Sequence, residues 1–261
     1  MAGQLGFFDL DERYAALSES GDPLERLTRV VDFEIFRDDL ERALNRSERA
    51  KGGRPPMDAV MMFKILVIQA LWGLSDEQVE YQIRDRLSFM RFLGLDLAGR
   101  VPDYSTVWRF REALGEAGAI APLFARFDAE LKEQGYFALG GQIVDASIVE
   151  APRQRMSKDE KLQIKRGEVP PWPAAKARHK DVDARWTIKR GRVKKKPGPE
   201  LKASERLASD VLIPAFGYKN HINVDRRHRL IRCWTVTNAA THDGARLPEI
   251  LDEDAFDSRI W

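Results

Sequence analysis

The sequence predicts an α+β protein, a helical first half followed by a sheet-bearing second half, on three observations. Up to about residue 135 apolar side chains recur every three or four positions between capping signals, the period of helices that bury one face. From Gly140 onward short stretches alternate apolar and polar residues, the period of half-buried strands. Between those strands lies a block of positive charge: residues 153–196 hold 16 Lys or Arg against 5 Asp or Glu, a net of +11 in a chain whose total is +2. The rest of the chain therefore sums to −9.

Residues 1–21 are taken as an N-terminal tail, with acids where a signal peptide would need a basic start and an apolar run. Asp22 and Pro23 supply a cap and a first-turn proline for the helical stretch "LERLTRVVDFEIFRDDLERAL". "GGRPP" breaks the pattern, and Pro56 starts an apolar helix over 57–72 that Gly73 closes. That helix carries Lys64 and Gln69 and is short for a bilayer, so it is read as buried, with no membrane partner. Ser75 and Gln78 form a capping box for a helix reaching about 92, with Val79, Ile83, Leu87 and Met90 on one face. Asp103 caps a helix over 104–114, and Pro122 opens the last one, to 135. Residues 22–135 thus read as one helical domain. Its helices near 75–92 and 104–114 are expected to form a helix-turn-helix-like unit offering Ser105, Thr106, Arg109 and Arg111 to DNA.

The second domain spans 136–261. "GQIVDASIVEAP" predicts a strand over 141–149. A basic insertion follows at about 150–214, where "PPWP" and "KKKPGP" predict irregular, mobile backbone. "AFGYKNHINVD" and "RHRLIRCWTVTNA" predict a hairpin, "THDGARLPEILDE" a helix over 245–252, and "DSRIW" the start of another strand. The insertion interleaves Trp172 and Trp186 with its basic residues, which favours a phosphate-backbone partner. Its candidate DNA contacts are Lys189, Arg190, Arg192, Lys194, Lys195 and Lys196. The single cysteine, Cys233, excludes an intramolecular disulfide and a cysteine-based metal site, and suits a cytoplasmic protein. His179 has no partner at metal spacing, so zinc is not assigned.

Asp145 stands at the centre of the first strand. A carboxylate in a core strand is expensive to desolvate unless something pairs with it, and the plain alternative is a solvated strand face.

"GRPPMDAVMMFKILVIQALWGLSDEQVEYQIRDRLSFMRFLGL", "IVDASIVEAP", "DVDARWTIK", "FGYKNHINVD" and "LIRCWTVTNAATHDG", in that order, resemble insertion-sequence transposases of the IS-five group over roughly residues 35–261. The resemblance implies a helical DNA-binding region followed by an RNase H-like catalytic domain with an Asp, Asp, Glu triad, and Asp145 matches its first aspartate. It further implies Mg²⁺ or Mn²⁺, transposon-end and target DNA as partners, and a homo-oligomer on DNA. Phosphodiester transfer by water or a 3′-hydroxyl uses divalent ions about 3.5–4 Å apart with hard oxygen ligands. A carboxylate on a rigid strand can bridge both.

Within the family motif "GYKNH", Lys219 and His221 are expected to face the same side as Asp145 and touch a phosphate, unless this strand merely has one polar face. His242 and Asp243 are read as a turn and helix cap, and Asp181, Asp183 and Trp186 as organisers of the insertion. The family's second aspartate lies just beyond the strand after the helix, and its glutamate on a later helix. Here the sequence stops at Trp261, and Asp252, Asp254 and Asp257 precede that strand. The expectation is a C-terminally truncated transposase, inactive alone. Two other classes stay open: a non-catalytic DNA-binding protein that occupies transposon ends or inhibits an intact copy, and a metal-dependent nuclease.

Overall fold

The computed structural model describes residues 8–44, 55–137, 140–192 and 210–252. It is an α+β protein of two compact units, residues 1–134 and 135–261.

The first unit is helical. Its helices are α1 (Asp9–Glu19), α2 (Pro23–Val30), α3 (Arg37–Leu44), α4 (Ala59–Trp72), α5 (Asp76–Asp85), α6 (Leu87–Leu93), α7 (Tyr104–Glu116) and α8 (Ile120–Glu133). The apolar helix α4 forms its centre, with Ala59, Met62, Ile65 and Ile68 fully buried. Asp58 caps it, accepting from Met61 N at 2.9 Å, and Gly73 ends it in the left-handed conformation at φ +63°. No single helix among the described residues is long and apolar enough to cross a membrane.

Three expectations change here. Residues 9–19 are helical rather than a tail. Nothing on α1 is buried, so it lacks the apolar stripe that would have announced it, and Arg91 holds it instead, donating to Tyr14 O at 3.0 Å and Ser18 Oγ at 2.9 Å. The stretch after Asp22 is broken: Val31 is extended, and Asp32 caps a 3₁₀ turn, Phe33–Phe36, that drives both phenylalanines into the core. The helix from Ser75 is broken at Arg86, whose backbone is extended at φ −108°, ψ 115°. On one continuous helix Phe92 would stand roughly 140° round from Val79. The break lets Val79 and Ile83 of α5 and Phe89, Phe92 and Leu93 of α6 bury in one core.

The second unit holds β1 (Gln142–Glu150), α9 (Lys158–Lys165), α10 (Ala174–Ala177), β2 (Arg185–Arg192), β3 (Asp210–Asp225), β4 (Ile231–Asn238) and α11 (Leu247–Ile250). The long β3 organises an antiparallel sheet. Its first half pairs with β2, from Arg192↔Asp210 to Arg185↔Gly217; its second half pairs with β1, from Glu150↔Gly217 to Gln142↔Asp225, and with β4, from Tyr218↔Asn238 to Val224↔Ile231. Gly217 sits at the changeover with φ +153°, and a Cβ there would lie 2.1 Å from Val149 O. Only glycine permits that approach.

The sheet's buried polar residues make specific hydrogen bonds, although Asn223 Oδ1 has no partner among the described residues. Asp225, fully buried, accepts from His228 N at 2.6 Å and Leu230 N at 3.1 Å and lies 3.3 Å from the Arg232 guanidinium, which donates to Tyr136 O at 2.7 Å. Gln142 and Asn223 tie the end of α11 to the sheet: Asn223 Nδ2 donates to Ile250 O at 2.7 Å, and Asp252 N to Gln142 Oε1 at 2.8 Å.

"PPWP" is irregular, as its prolines predict, and "KKKPGP" lies outside the described residues, but the insertion also carries α9, α10 and the strand β2, held together as one folded segment. Glu160 is the reason. It closes a capping box with Ser157 and accepts from Trp172 Nε1 at 2.7 Å and Lys176 Nζ at 2.6 Å, so one carboxylate gathers α9, the "PPWP" turn and α10. Lys176 first, then Ser157 N and Trp172, hold its pKa down at about 2. Lys194, Lys195, Lys196 and the "DSRIW" run lie outside the described residues.

Candidate active site on the first strand

Two hydrogen bonds at the ends of β1 fix which way its backbone groups point. Ala151 N donates to Phe216 O at 2.8 Å and Arg226 N to Gly141 O at 3.0 Å, so odd-numbered residues bond to β3 and even-numbered ones point away from it. Among the described residues β1 pairs with β3 alone, which leaves that second edge open. Asp145 is exposed, and its Oδ1 accepts from Ala146 N, an open-edge donor, at 2.8 Å. Its carboxylate is solvated, so the desolvation problem does not arise. The acid stands on a strand edge that has no partner strand among the described residues.

A hollow of about 500 Å³ wraps this edge. Asp145 and Ser147 enter it from one face of β1, Ile148 and Glu150 from the other, with Lys189 of β2 and Ile213 of β3. Two predicted residues, Asp145 and Lys189, therefore border one hollow, but from opposite faces of the sheet, because Lys189 pairs with Ile213, an odd-numbered residue of β3. The sequence assigns Ser147 and Glu150 no site role; the only signal for one is their place two and five residues beyond Asp145 in "DASIVE".

Lys219 and His221 do not join them. Residues paired directly across antiparallel strands share a face. Asp145 pairs with Ile222, whereas His221 pairs with Ala146 and Lys219 with Ile148, so both stand on the opposite face. His221 is 1% exposed, with Nε2 2.9 Å from Thr237 Oγ1. Lys219 Nζ donates to Thr241 O at 2.7 Å and Asp243 Oδ1 at 2.8 Å, bracing the turn before α11. His242 caps that turn, accepting from Gly244 N at 3.2 Å.

On the Asp145 face, Tyr218 OH lies 2.7 Å from both oxygens of Asp181. Burial raises the Asp181 pKa, but the hydrogen bonds from Tyr218 and from Ala184 and Asp183 N outweigh it and leave the acid below its ordinary value. Tyr218 is raised, by burial and then by Asp181, and stays a donor. Gln154 Oε1 accepts from Asp181 N at 3.0 Å, completing the tie between insertion and sheet. Trp186 packs on Phe216 at 5.4 Å with the Arg153 guanidinium 5.6 Å over its ring, yet remains 51% exposed.

In the helical unit the two predicted arginines have local partners. Arg111 donates to Asp76 and, at 3.2 Å, to Gln69; Arg109, exposed, donates to Ser105 Oγ at 2.8 Å. The connection between α6 and α7 covers residues 94–103, where a helix-turn-helix has three or four residues. Of Arg190 and Arg192 only the backbone, in β2, is described.

Among the described residues no three His, Cys, Asp or Glu side chains converge to hold a metal ion. Asp145 and Glu150 lie five residues apart on one strand, about 16 Å at 3.3 Å per residue, too far to share a pair of ions. The described donors alone do not fit a two-ion centre.

A helical unit followed by a sheet-bearing unit makes this an α+β protein. Residues 12–113, from α1 into α7, match the family described as a transposase domain (DUF772), which supports a transposase family for this chain. No solved structure matches it.

Proposed function

We propose that the chain is a DNA transposase of the IS-five type, whose sheet unit is RNase H-like and whose Asp145 is one of the acids of a metal-dependent strand-transfer site. The observation that carries the proposal is the transposase-domain match over residues 12–113. Support for the catalytic half comes from Asp145 on an exposed strand beside an open hollow that also receives Lys189, a cation suited to a phosphate. Mg²⁺ or Mn²⁺ would need further carboxylates brought to Asp145, so no step is assigned to an ion. Taken alone, the described residues favour a chain that binds transposon ends without cutting them. It acts in the cytoplasm, on DNA, as a homo-oligomer.

The test is an end-binding and end-cleavage assay on the purified chain with Mg²⁺ or Mn²⁺, beside Asp145→Ala. Salt-dependent binding without cleavage is expected from both. Failure to bind DNA at low salt would sink the transposase reading. Cleavage lost with Asp145→Ala would overturn the binding-only reading and bring in acids outside the described residues. Cleavage that survives the substitution would remove Asp145 from the site.

A further inference from the structure

Beyond Gly217 the first half of β3 pairs with β2 and, among the described residues, with no other strand. Eight residue pairs make a two-stranded ribbon roughly 26 Å long. Such ribbons are marginal in water unless something covers a face. This one leaves large apolar side chains bare: Ile188 is 64% exposed, Leu212 58% and Trp186 51%. Trp186 pairs with Phe216 and Ile188 with Pro214, and Leu212 is two residues from Pro214 on the same strand, so Trp186, Ile188 and Leu212 share one face. Ile213 is 48% exposed on the other.

The ribbon's charge indicates what covers it. β2 carries Arg185, Lys189, Arg190 and Arg192 and no acid, while the paired part of β3 contributes only Asp210. A polyanion with apolar surface to offer meets both features. Duplex DNA is one: its phosphates suit the cations, its major groove admits a two-stranded ribbon, and its base faces become apolar contact surface when a step is unstacked.

Resting on the transposase reading, we propose that the β2–β3 ribbon is a DNA-gripping arm that lies in a groove and presses Ile188 and Leu212 against an opened base step, bending the duplex. Trp186 would cover a base face at the root of the arm, on the face of β3 that also bears Asp145.

The experiment measures resonance energy transfer between dyes at the two ends of a transposon-end duplex, with the full chain and with Ile188→Thr/Leu212→Thr. Threonine keeps strand propensity at both positions, so the ribbon should still form. The wild type should raise transfer on binding, equivalent to a bend of roughly 20–90°. The double variant should bind about tenfold more weakly, with the bend abolished and the salt slope unchanged, because the phosphate contacts remain. Circular dichroism and the retained salt slope confirm that it is folded. Wild-type binding without a bend, or a bend that survives the substitutions, overturns the arm and leaves the transposase reading intact. So does a concentration-dependent dimer that the variant abolishes while DNA geometry is unaffected, which would make a second copy the ribbon's cover. No binding to any duplex overturns both.

Discussion

The two units are opposites in charge. Residues 1–134 carry 18 Lys or Arg against 24 Asp or Glu, net −6; residues 135–261 carry 25 against 17, net +8. The helical unit also spends its cations internally: Arg91 on Asp22 and Glu25, Arg37 on Glu34 and Asp58, Arg111 on Asp76. The unit that matches the transposase domain is therefore the poorer electrostatic partner for phosphate, and the sheet unit is the better one. Stability differs in kind as well. The helical unit rests on an apolar core, whereas the sheet unit rests heavily on buried polar pairs.

That second contrast predicts the largest effect. Arg232→Met leaves Asp225 buried without its cation and should cost about 3–5 kcal/mol of sheet-unit stability. An exposed pair of the helical unit, broken by Arg84→Ala at Glu80, should cost about 1 kcal/mol or less. Urea unfolding of the two variants reads the difference, and equal costs would break the contrast.

These differences also decide what was legible in the sequence. α4, the Ser75 capping box, the Asp103 cap and the β3–β4 hairpin were visible because local chemistry and tertiary structure agree there. The breaks at Val31 and Arg86 were not, since no Gly or Pro marks them; they exist to turn Phe33, Phe36 and Phe92 inward, a tertiary demand. α1 and the insertion's helices α9 and α10 were missed because polar clusters around Arg91 and Glu160 hold them, and such clusters leave no periodic trace. At the site, Asp145 was legible through its motif. The opposite facing of Lys219 and His221 was not, because it follows from the β1–β3 register, which no single strand encodes.

Next in size is DNA binding. Lys189→Ala combined with alanine at Lys194, Lys195 and Lys196 should lower affinity at least tenfold and reduce the slope of log K against log salt by about 0.9 for each phosphate no longer neutralised. Polarisation titrations across a range of salt measure it, and an unchanged slope removes these lysines from the interface.

A smaller effect concerns the insertion's order. Glu160 is depressed from its ordinary 4.5 to about 2 in the folded state, so what it contributes is fully present above about pH 4.5 and is lost as pH falls through about 2. Trp172, whose indole donates to Glu160, is the reporter. Amide exchange across 157–177 should stay slow down to about pH 4 and rise toward pH 2 beyond the intrinsic acid dependence of exchange. Glu160→Gln should make it fast at neutral pH, and protection unchanged by that substitution would assign the fold of the insertion to something else.

The smallest expected effect is the most informative about the charge contrast between the units. Arg111 was a candidate DNA contact, yet its guanidinium is committed to Asp76, whose carboxyl burial would raise but Gln69 and Arg111 bring below its ordinary value. Arg111 is 44% exposed on its side chain, so the pair stabilises by about 1 kcal/mol at most. If DNA is held by the sheet unit, Arg111→Ala should leave affinity within about twofold of wild type and the salt slope unchanged, while Lys189→Ala, a single charge in the sheet unit, reduces that slope by about 0.9. A loss of tenfold or more with Arg111→Ala, accompanied by a flatter slope, would mean that the Asp76 pair opens to release its arginine to a phosphate. Charge would then have misassigned the DNA surface, because a net −6 unit would be hiding cations that only its partner unmasks.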